Sequence, residues 1–298
     1  MLYSTNEFFD GYTVVKYEPQ SICNKNCSYC YVRDKKTGTD KDLIISDLAA
    51  ILSAENPKIV LGIEGGEPIL QDGFDEIIDH IYNTKKYETK IVLFTHADHD
   101  FEFFKSRIDQ LKKFGVQCKI ICSVHFEELN KEQFKKNIKY INDNFKYKTL
   151  FFVLNKMFMN EREYIRSILD ECKELKIHGS IQDNLDDGEL IKRLSYFKQL
   201  QEFSDRMDNT MIINGVSYPH NAGLFEVYKM NRFVFLGNQC SVRDFEIDEN
   251  GNIRMPCSNK ILSNTRNNFN PSVFNMKTIT CKEKKCFSTT SNVRIFKS

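Results

Sequence analysis

The sequence predicts an α/β fold, a partial (β/α)6 barrel followed by a small irregular C-terminal domain with a β-hairpin. Two observations lead to this prediction. Short apolar runs typical of strands alternate with amphipathic helical segments through the first two thirds of the chain. The alternation stops near residue 208, where Asn and Gly become frequent. Right-handed βαβ crossovers build a parallel sheet, and six such units form an open barrel rather than a closed one of eight.

Each predicted strand is short and apolar, and a helix with periodic apolar residues follows it. The predicted strands cover residues 11–17, 58–63, 90–95, 117–124, 149–154 and 177–181. The predicted helices cover residues 40–53, 73–83, 101–114, 131–144, 161–175 and 189–207. We divide the chain into a barrel domain, residues 1–208, and a C-terminal domain, residues 209–298. Functional loops should gather at the carboxyl ends of the barrel strands.

Composition narrows the choice of partners and compartment. Lys and Arg together number 42 against 41 Asp and Glu, so the net charge gives no electrostatic reason to expect a nucleic-acid or membrane partner. The N-terminus has no signal-peptide pattern, and no run approaches the roughly 18 apolar residues of a membrane span. Ten cysteines, most of them in metal-ligand spacings, suit a reducing compartment better than a disulfide framework. We therefore predict a cytoplasmic protein.

Three cysteines near the start of the chain carry the strongest chemical signal. Cys23, Cys27 and Cys30 have a C-x3-C-x2-C spacing, which lets one short loop wrap around a single inorganic cluster. Three thiolates hold three corners of a cubane 4Fe-4S cluster and leave the fourth iron open to a substrate or cosubstrate. A structural zinc or a redox cysteine cluster is the alternative, although zinc would need a fourth ligand close by.

A second motif follows the cysteines at the distance of one helix and one strand. The apolar run of residues 58–63 leads to Gly65, Gly66, Glu67 and Pro68. Adjacent glycines let the backbone approach a ligand closely, and Pro68 prevents the chain from continuing as a strand. The peptide groups and the Glu67 carboxylate can then face an ammonium group.

Together, the cysteine loop and the GGEP motif resemble the radical S-adenosylmethionine (radical SAM) superfamily. The resemblance implies that the open iron binds the amino nitrogen and carboxylate of S-adenosylmethionine. It also implies that Gly65, Gly66 and Glu67 hold the ammonium end, that Pro68 belongs to the same cofactor-binding motif, and that Tyr29 packs near the adenine. The implied reaction is one-electron cleavage to methionine and a 5′-deoxyadenosyl radical, which abstracts a hydrogen atom from substrate. A flavodoxin- or ferredoxin-type protein would supply the electron.

Other strand ends offer further candidates for the cosubstrate site. Thr-His-Ala at residues 95–97 stands where family members often carry Thr-Asn-Gly, so the chain departs from the family there. Ser123 and His125 end the fourth strand, where the resemblance implies polar groups for the ribose and carboxylate, and Asn155 closes the fifth. Each of these three could instead be a solvated loop residue.

The C-terminal region holds four more cysteines in two close pairs. A hairpin predicted over residues 245–255, with a DENG turn, should bring Cys240 and Cys257 together, and Cys281 and Cys286 follow. Four thiolates suit an auxiliary 4Fe-4S cluster or a structural zinc. The hairpin resembles the opening of SPASM and twitch extensions of radical SAM enzymes, and four cysteines resemble the one-cluster twitch form. This resemblance favours the auxiliary cluster.

Two cysteines outside these sets are weak catalytic candidates. Cys118 and Cys122 share one face of the predicted fourth strand. Buried cysteine is usually a small apolar residue. The sharper interpretation is a thiol that returns a hydrogen atom to a substrate radical, as in some radical SAM peptide epimerases.

The sequence does not identify the substrate. Radical SAM enzymes with one auxiliary cluster include peptide-modifying enzymes and dehydrogenases of small alcohols or sugars. We favour a ribosomally made peptide as substrate and keep a small hydroxylated metabolite as the alternative. An iron-sulfur sensor or binding protein without turnover is a third possibility, but it gives the GGEP motif no purpose.

Overall fold

The strands of the described part of the chain form two sheets. The computed structural model describes residues 2–5, 7–19, 21–28, 30, 38–56, 58–86, 88–153, 160–180, 203, 206–208, 210–213, 216–219, 239–242, 244–255, 258–275, 277–280 and 294–296. The strands are β1 Leu2–Thr5, β2 Thr13–Tyr17, β3 Ile59–Ile63, β4 Lys90–Thr95, β5 Cys118–Val124, β6 Tyr147–Val153, β7 Lys176–Ser180, β8 Thr210–Ile213, β9 Val216–Pro219, β10 Gln239–Val242, β11 Asp244–Ile247, β12 Asn252–Met255, β13 Ser258–Asn264, β14 Lys277–Thr280 and β15 Arg294–Phe296.

The larger sheet contains nine strands in the order β13-β12-β11-β2-β3-β4-β5-β6-β7. Strands β2 to β7 are parallel and pair in chain order, as successive βαβ units require. The helices are α1 Lys41–Leu52, α2 Phe74–Thr84, α3 Phe101–Asp109, α4 Lys131–Asn144 and α5 Arg162–Glu171. The predicted α/β class and partial barrel are confirmed.

Three helices begin at residues whose side chains cap the first turn. Asp40 accepts a hydrogen bond from the Asp42 amide, and Asp100 accepts from the amides of residues 102 and 103. Asn130 accepts from the Gln133 amide. These caps satisfy amide groups that have no partner within the helix, and they fix where each helix leaves its strand-end loop.

The C-terminal hairpin joins the barrel sheet. Strands β11 and β12 are antiparallel, with Ile247 opposite Ile253, as the DENG turn predicts. Strand β11 also pairs in parallel with β2, on the side of β2 opposite β3, so the hairpin extends the barrel sheet beyond its first strand. The division of the chain at residue 208 stays a prediction.

The smaller sheet combines the two chain ends, in the order β14-β10-β15-β1-β8-β9. Strand β1 is antiparallel to both β15 and β8. None of these six strands belongs to the predicted barrel units. The region after residue 208 therefore contains regular strands as well as the hairpin.

Some boundaries differ from the sequence prediction. The helix predicted over residues 101–114 ends at Asp109, and a 3-10 segment, Lys112–Gln117, follows, in which Gly115 has φ 55°. The last predicted helix, residues 189–207, lies outside the described residues except for positions 203, 206 and 207. Among the described residues, no helix has the length and apolar character to cross a membrane.

Among the described residues, buried side chains form two separate clusters on either side of the barrel sheet. The larger lies between the sheet and the helices and includes Leu61, Leu93 and Ile138. The smaller contains Phe8, Phe9, Val14, Val60, Val92 and Ile121. Because side chains alternate across a strand, the residues of the smaller cluster face the barrel interior, and the two N-terminal phenylalanines pack against them.

Candidate cofactor site

The three N-terminal cysteines lie in the loop that follows β2. Cys27 is buried, and Cys23 and Cys30 are half-buried. The Lys25 amide lies 3.5 Å from the Cys23 sulfur, and the Cys30 amide donates to the Cys27 carbonyl across 3.1 Å. An amide directed at a thiolate is a hydrogen bond that iron-sulfur ligands use, so the loop fits a cluster. Tyr29 lies outside the described residues.

The GGEP turn after β3 packs directly against this cysteine loop. The Glu67 amide donates to the Ile22 carbonyl across 2.6 Å. A Cβ on Gly66 would lie 2.0 Å from that same carbonyl oxygen, so no other residue fits at this position. Gly65 has φ 119°, a conformation that L side chains rarely adopt. The two sequence motifs are therefore in contact, and both glycines are required for it.

Glu67 is a buried carboxylate that lies beside two stacked histidines. Its Oε2 accepts a hydrogen bond from the His96 amide across 2.8 Å and lies 3.3 Å from His96 Nε2 and 3.8 Å from His99 Nε2. The two imidazole rings stack with centroids 4.1 Å apart. Burial acts to raise the pKa of Glu67, but the two histidines and the His96 amide lower its pKa overall. The lowered pKa keeps the carboxylate charged, and its Oε2 contacts the loop that follows β4.

A chain of polar contacts links Glu67 to the cysteine loop. His96 Nε2 lies 2.8 Å from Asn24 Oδ1, and His96 Nδ1 lies 2.5 Å from Asp98 Oδ1. Asp98 Oδ2 forms a 2.6 Å ion pair with Lys25, which lies between the first two cysteines. Burial would raise the pKa of Asp98, but His96 and Lys25 lower its pKa to about 2.

Two carboxylates after β5 hold the same loop from the other side. Glu127 accepts from the amide and hydroxyl of Ser28 at 2.7 and 2.5 Å. Glu128 accepts from the Asn26 amide at 2.9 Å, and its carbonyl accepts from the Lys25 ammonium at 2.8 Å. Hydrogen bonds to carboxylates are stronger than neutral ones, so these contacts order the loop.

The sequence prediction missed this arrangement almost entirely. It noted His96 only as a departure from Thr-Asn-Gly, and it did not single out His99, Asp98 or Lys25. Ala97 has φ 56°, in the left-handed region that favours glycine. Glycine is the residue that the family often carries at this position. Asn137 supports the strained turn by donating to the carbonyls of Ala97 and His99 at 3.0 and 2.8 Å. The run HADHD was the only available signal.

Two of the remaining predicted cosubstrate residues, Ser123 and His125, lie within the described residues, at the same edge of the sheet. Ser123 is a half-buried residue of β5, and the His125 ring lies 6.4 Å from the His96 ring. Burial, together with His96 and Lys25, lowers the pKa of His125 to about 4, so the ring is neutral at pH 7. Asn155 lies outside the described residues.

Cys118 and Cys122 lie in the larger core cluster, which includes helix residues, and both are fully buried. Burial raises the pKa of both thiols. Their neighbours along β5, Lys119 and Ile121, face the interior instead. This location favours the interpretation of both thiols as apolar packing residues.

The auxiliary cysteines are only partly within the described residues. Cys240 lies on β10, opposite Ile279 of β14 and Ile295 of β15. Cys257, Cys281 and Cys286 lie outside the described residues.

Two solved structures illustrate the fold that the chain shares. SuiB of Streptococcus suis, bound to the precursor peptide SuiA, has a TM-score of 0.61 and 17% identity, over 88% of this chain and 64% of that chain. The protein described as anSMEcpe, with bound AdoMet and the Cp18Cys peptide, has a TM-score of 0.59 and 15% identity, over 88% of this chain and 80% of that chain. The chain thus spans less than two thirds of the length of SuiB.

A comparison with curated protein sequences found no match. The family model of the radical SAM superfamily matches residues 17–194, which cover more than half of the chain and both N-terminal motifs. Members of this family use S-adenosylmethionine and a 4Fe-4S cluster. The chain belongs to the radical SAM superfamily.

Proposed function

We propose that the protein cleaves S-adenosylmethionine reductively and abstracts a hydrogen atom from a bound substrate. The observation that carries this proposal is the contact between the cysteine loop and the GGEP turn, through the Ile22 carbonyl and the Glu67 amide at 2.6 Å. Because Gly66 admits no side chain there, the chain is built to keep the two motifs together. A sensor that only held a cluster would not need this contact.

Within this proposal, each motif has a distinct role. Cys23, Cys27 and Cys30 hold the cluster through their thiolates, and Glu67 with the turn around it binds the ammonium of S-adenosylmethionine. When bound, the reduced cluster supplies the electron that converts S-adenosylmethionine into methionine and a 5′-deoxyadenosyl radical. Glu67 suits an ammonium because it is buried and charged. Tyr29, Ser123, His125 and Asn155 remain the candidates for the rest of the cosubstrate.

The substrate that we propose is a peptide, made by the ribosome and then modified. SuiB is described with a precursor peptide and anSMEcpe with a peptide, and both resemble this chain in fold. A small hydroxylated metabolite or sugar is the alternative substrate, which would give a two-electron oxidised product. Isotope-labelled candidate substrates separate the two, because hydrogen moves from the true substrate into 5′-deoxyadenosine.

We also propose that Cys240, Cys257, Cys281 and Cys286 bind one auxiliary 4Fe-4S cluster. Support comes from the pairing of β10 with β14. Thr280, which precedes Cys281 in the sequence, is the cross-strand partner of Gln239, which precedes Cys240. If all four cysteines are ligands, the auxiliary cluster transfers electrons or tunes the radical site rather than binding substrate. A zinc ion is the alternative occupant.

The electron donor that we propose is a flavodoxin- or ferredoxin-type protein, and the compartment is the cytoplasm. Both follow from the chemistry, because a low-potential cluster needs a low-potential donor and reduced thiols need a reducing environment.

The experiment that tests the function measures iron, zinc and 5′-deoxyadenosine in anaerobically purified and reduced protein. The matched variant has Cys23, Cys27 and Cys30 all replaced by alanine. About eight irons that fall to about four, with loss of 5′-deoxyadenosine, would support two 4Fe-4S clusters and the radical reaction. About four irons that fall to none, with about one zinc retained, would assign zinc to the C-terminal cysteines. An unaltered, reconstituted protein without iron would contradict the proposal.

A further inference from the structure

His99 is a buried histidine to which the proposed function gives no role. It lies in the loop between β4 and α3 and is only 6% exposed. Its Nε2 is buried and has no hydrogen-bond partner among the described residues. A buried polar nitrogen without a partner costs free energy and is rare in a folded protein. Its partner therefore has to come from a bound ligand or from a movement of a neighbouring group.

Two helices fix the place of the His99 ring. Asn137 of α4 is fully buried, and its side chain donates to the His99 carbonyl across 2.8 Å. The ring contacts Phe103 of α3, with centroids 5.6 Å apart, and stacks on His96, with centroids 4.1 Å apart. Because both the backbone and the ring are held, the fold sets the position of the imidazole.

The buried nitrogen of His99 lies close to the carboxylate of Glu67. His99 Nε2 is 3.8 Å from Glu67 Oε2. This distance exceeds the roughly 2.7–3.2 Å of a hydrogen bond, but a carboxylate shift of about 1 Å would close the gap. A carboxylate oxygen only accepts hydrogen bonds, so the nitrogen beside it is favoured in its N–H form. His99 thus presents a donor to Glu67.

The ring of His96, in contrast, has several partners at once. Its amide donates to Glu67 Oε2 across 2.8 Å, and its Nε2 lies 3.3 Å from the same oxygen. The ring also contacts Asn24 at 2.8 Å and Asp98 at 2.5 Å. A change at His96 would therefore disturb the cysteine loop as well as Glu67. The His99 ring can be changed without breaking these contacts, which makes its role separately testable.

We infer that His99 is a positioning residue, whose Nε2 donates to Glu67 Oε2 when S-adenosylmethionine is bound and so orients the carboxylate toward the amino group of that cosubstrate. Hydrogen bonds at such sites are often long in the unliganded protein and shorten in the complex. A donor on one oxygen fixes the plane of a carboxylate and hence the direction of its other oxygen. This inference rests on the proposed function and adds a residue to its cosubstrate site.

The first test compares equilibrium binding of S-adenosylmethionine with that of its deamino analogue, in which hydrogen replaces the amino group. Equilibrium dialysis of anaerobic protein with an oxidised cluster gives both dissociation constants without turnover. His99→Phe keeps an aromatic ring for the stack and removes the nitrogen. We expect this variant to bind S-adenosylmethionine about tenfold more weakly and the analogue within about twofold of the unaltered protein.

His99→Gln is the matched variant, because its amide nitrogen can donate from about the place of Nε2. Its affinity for S-adenosylmethionine should stay within about threefold of that of the unaltered protein. Unchanged binding of S-adenosylmethionine in His99→Phe overturns the inference. An equal loss for both ligands also overturns it, as does a loss in His99→Gln as large as that in His99→Phe, because either result assigns the effect to ring packing.

A measurement on the unaltered protein keeps the inference testable if His99→Phe folds poorly. Histidine labelled with nitrogen-15 gives an NMR signal for each ring nitrogen, and the signal that is missing in either variant belongs to His99. Addition of S-adenosylmethionine to the oxidised protein should shift the Nε2 proton of His99 downfield, because its hydrogen bond shortens. A His99 signal that does not respond to S-adenosylmethionine overturns the inference.

Turnover separates this inference from the proposed function. With reduced protein, His99→Phe should raise the KM for S-adenosylmethionine more than it lowers kcat, because the contact contributes to binding. Unaltered protein that binds S-adenosylmethionine but forms no 5′-deoxyadenosine contradicts the proposed function, whereas the binding comparison still decides the role of His99. Protein that binds no S-adenosylmethionine contradicts both. Normal turnover and unchanged binding in His99→Phe leave the function standing and remove the role of His99.

Discussion

Lys25 and Asp98 form a 2.6 Å ion pair in which both side chains are buried, at 7% and 4% exposure. Lys25 lies between two cluster cysteines, and Asp98 lies just after β4, so the pair fastens the cysteine loop to the barrel. Asp98 also contacts His96, which contacts Glu67. One set of contacts thus links the cysteine loop to the GGEP turn.

Replacement of Lys25 by methionine should loosen this loop. The substitution leaves Asp98 buried without its ammonium partner, which costs about 3–5 kcal/mol for a pair of this kind. We expect lower bound iron after anaerobic purification and a lower urea midpoint. Lys58→Met is the matched control, because the ion pair of Lys58 with Glu88 is exposed and worth at most about 1 kcal/mol. Unchanged iron and stability in Lys25→Met would show that the pair does not order the loop.

Replacement of Gly66 by alanine should abolish activity by separating the two motifs. The new Cβ would overlap the Ile22 carbonyl at 2.0 Å, and the backbone has to shift to relieve the clash. A displacement of about 1 Å at a reacting centre can cost about a hundredfold in rate. We expect at least that loss in 5′-deoxyadenosine formation. Gly115→Ala controls for backbone strain, because Gly115 has φ 55° and no atom near its missing Cβ.

The sequence predicted which strand ends carry chemistry but not which side chains meet there. The cysteine and GGEP motifs are local patterns, and parallel strands bring their carboxyl ends to one edge, so their meeting follows from the fold class. The contact of Lys25 with Asp98 joins residues 73 positions apart. No periodicity or local composition specifies such a partner, which depends on strand register and helix placement.

The sequence likewise predicts the C-terminal hairpin itself but not the strand with which it pairs. The DENG turn and alternating apolar residues predicted β11 and β12 correctly. The hairpin joins the barrel sheet because β11 pairs in parallel with β2, far away in the sequence. This pairing runs from Asp244 opposite Val14 to Ile247 opposite Tyr17. The turn chemistry that fixes a hairpin carries no information about a distant strand.

His125 should make stability depend on pH between about 6.5 and 4. Its pKa is lowered to about 4 in the folded protein, so below pH 6.5 the unfolded chain binds more protons and stability falls as pH falls. We expect the free energy of unfolding to decrease between pH 7.5 and 5.5, and to decrease less in His125→Gln. Urea unfolding at the two pH values measures this difference. His178 has a similar shift, so the variant should retain part of the slope.

Equal pH slopes in the unaltered protein and His125→Gln would mean that the imidazole is not buried in its neutral form. His80→Gln serves as a control for the loss of one histidine, because His80 lies on α2, away from the cofactor site. The comparison therefore separates burial of one ring from general acid sensitivity.

Arg266 should anchor the segment after β13 to the barrel. It makes a 2.7 Å ion pair with Asp47 of α1, which is fully buried. Asp47 also accepts hydrogen bonds from the Tyr17 hydroxyl at 2.8 Å and the Thr265 hydroxyl at 2.6 Å. Gly251 lies beside this cluster, because its Cβ would be 2.3 Å from the Thr265 hydroxyl. One carboxylate thus joins the first barrel strand, the first helix and the C-terminal region.

Arg266→Met should therefore destabilise the protein, with its main effect on the C-terminal region. The Arg266 side chain is 24% exposed, so the loss should be smaller than the 3–5 kcal/mol of a fully buried pair, about 1–3 kcal/mol. Limited proteolysis should cut first after residue 240, and the urea midpoint should fall. Lys113→Met, which breaks an ion pair with the exposed carboxylate of Asp79, should change neither result. Cleavage that begins in the barrel instead would show that Asp47 stabilises α1 alone and does not join the two regions.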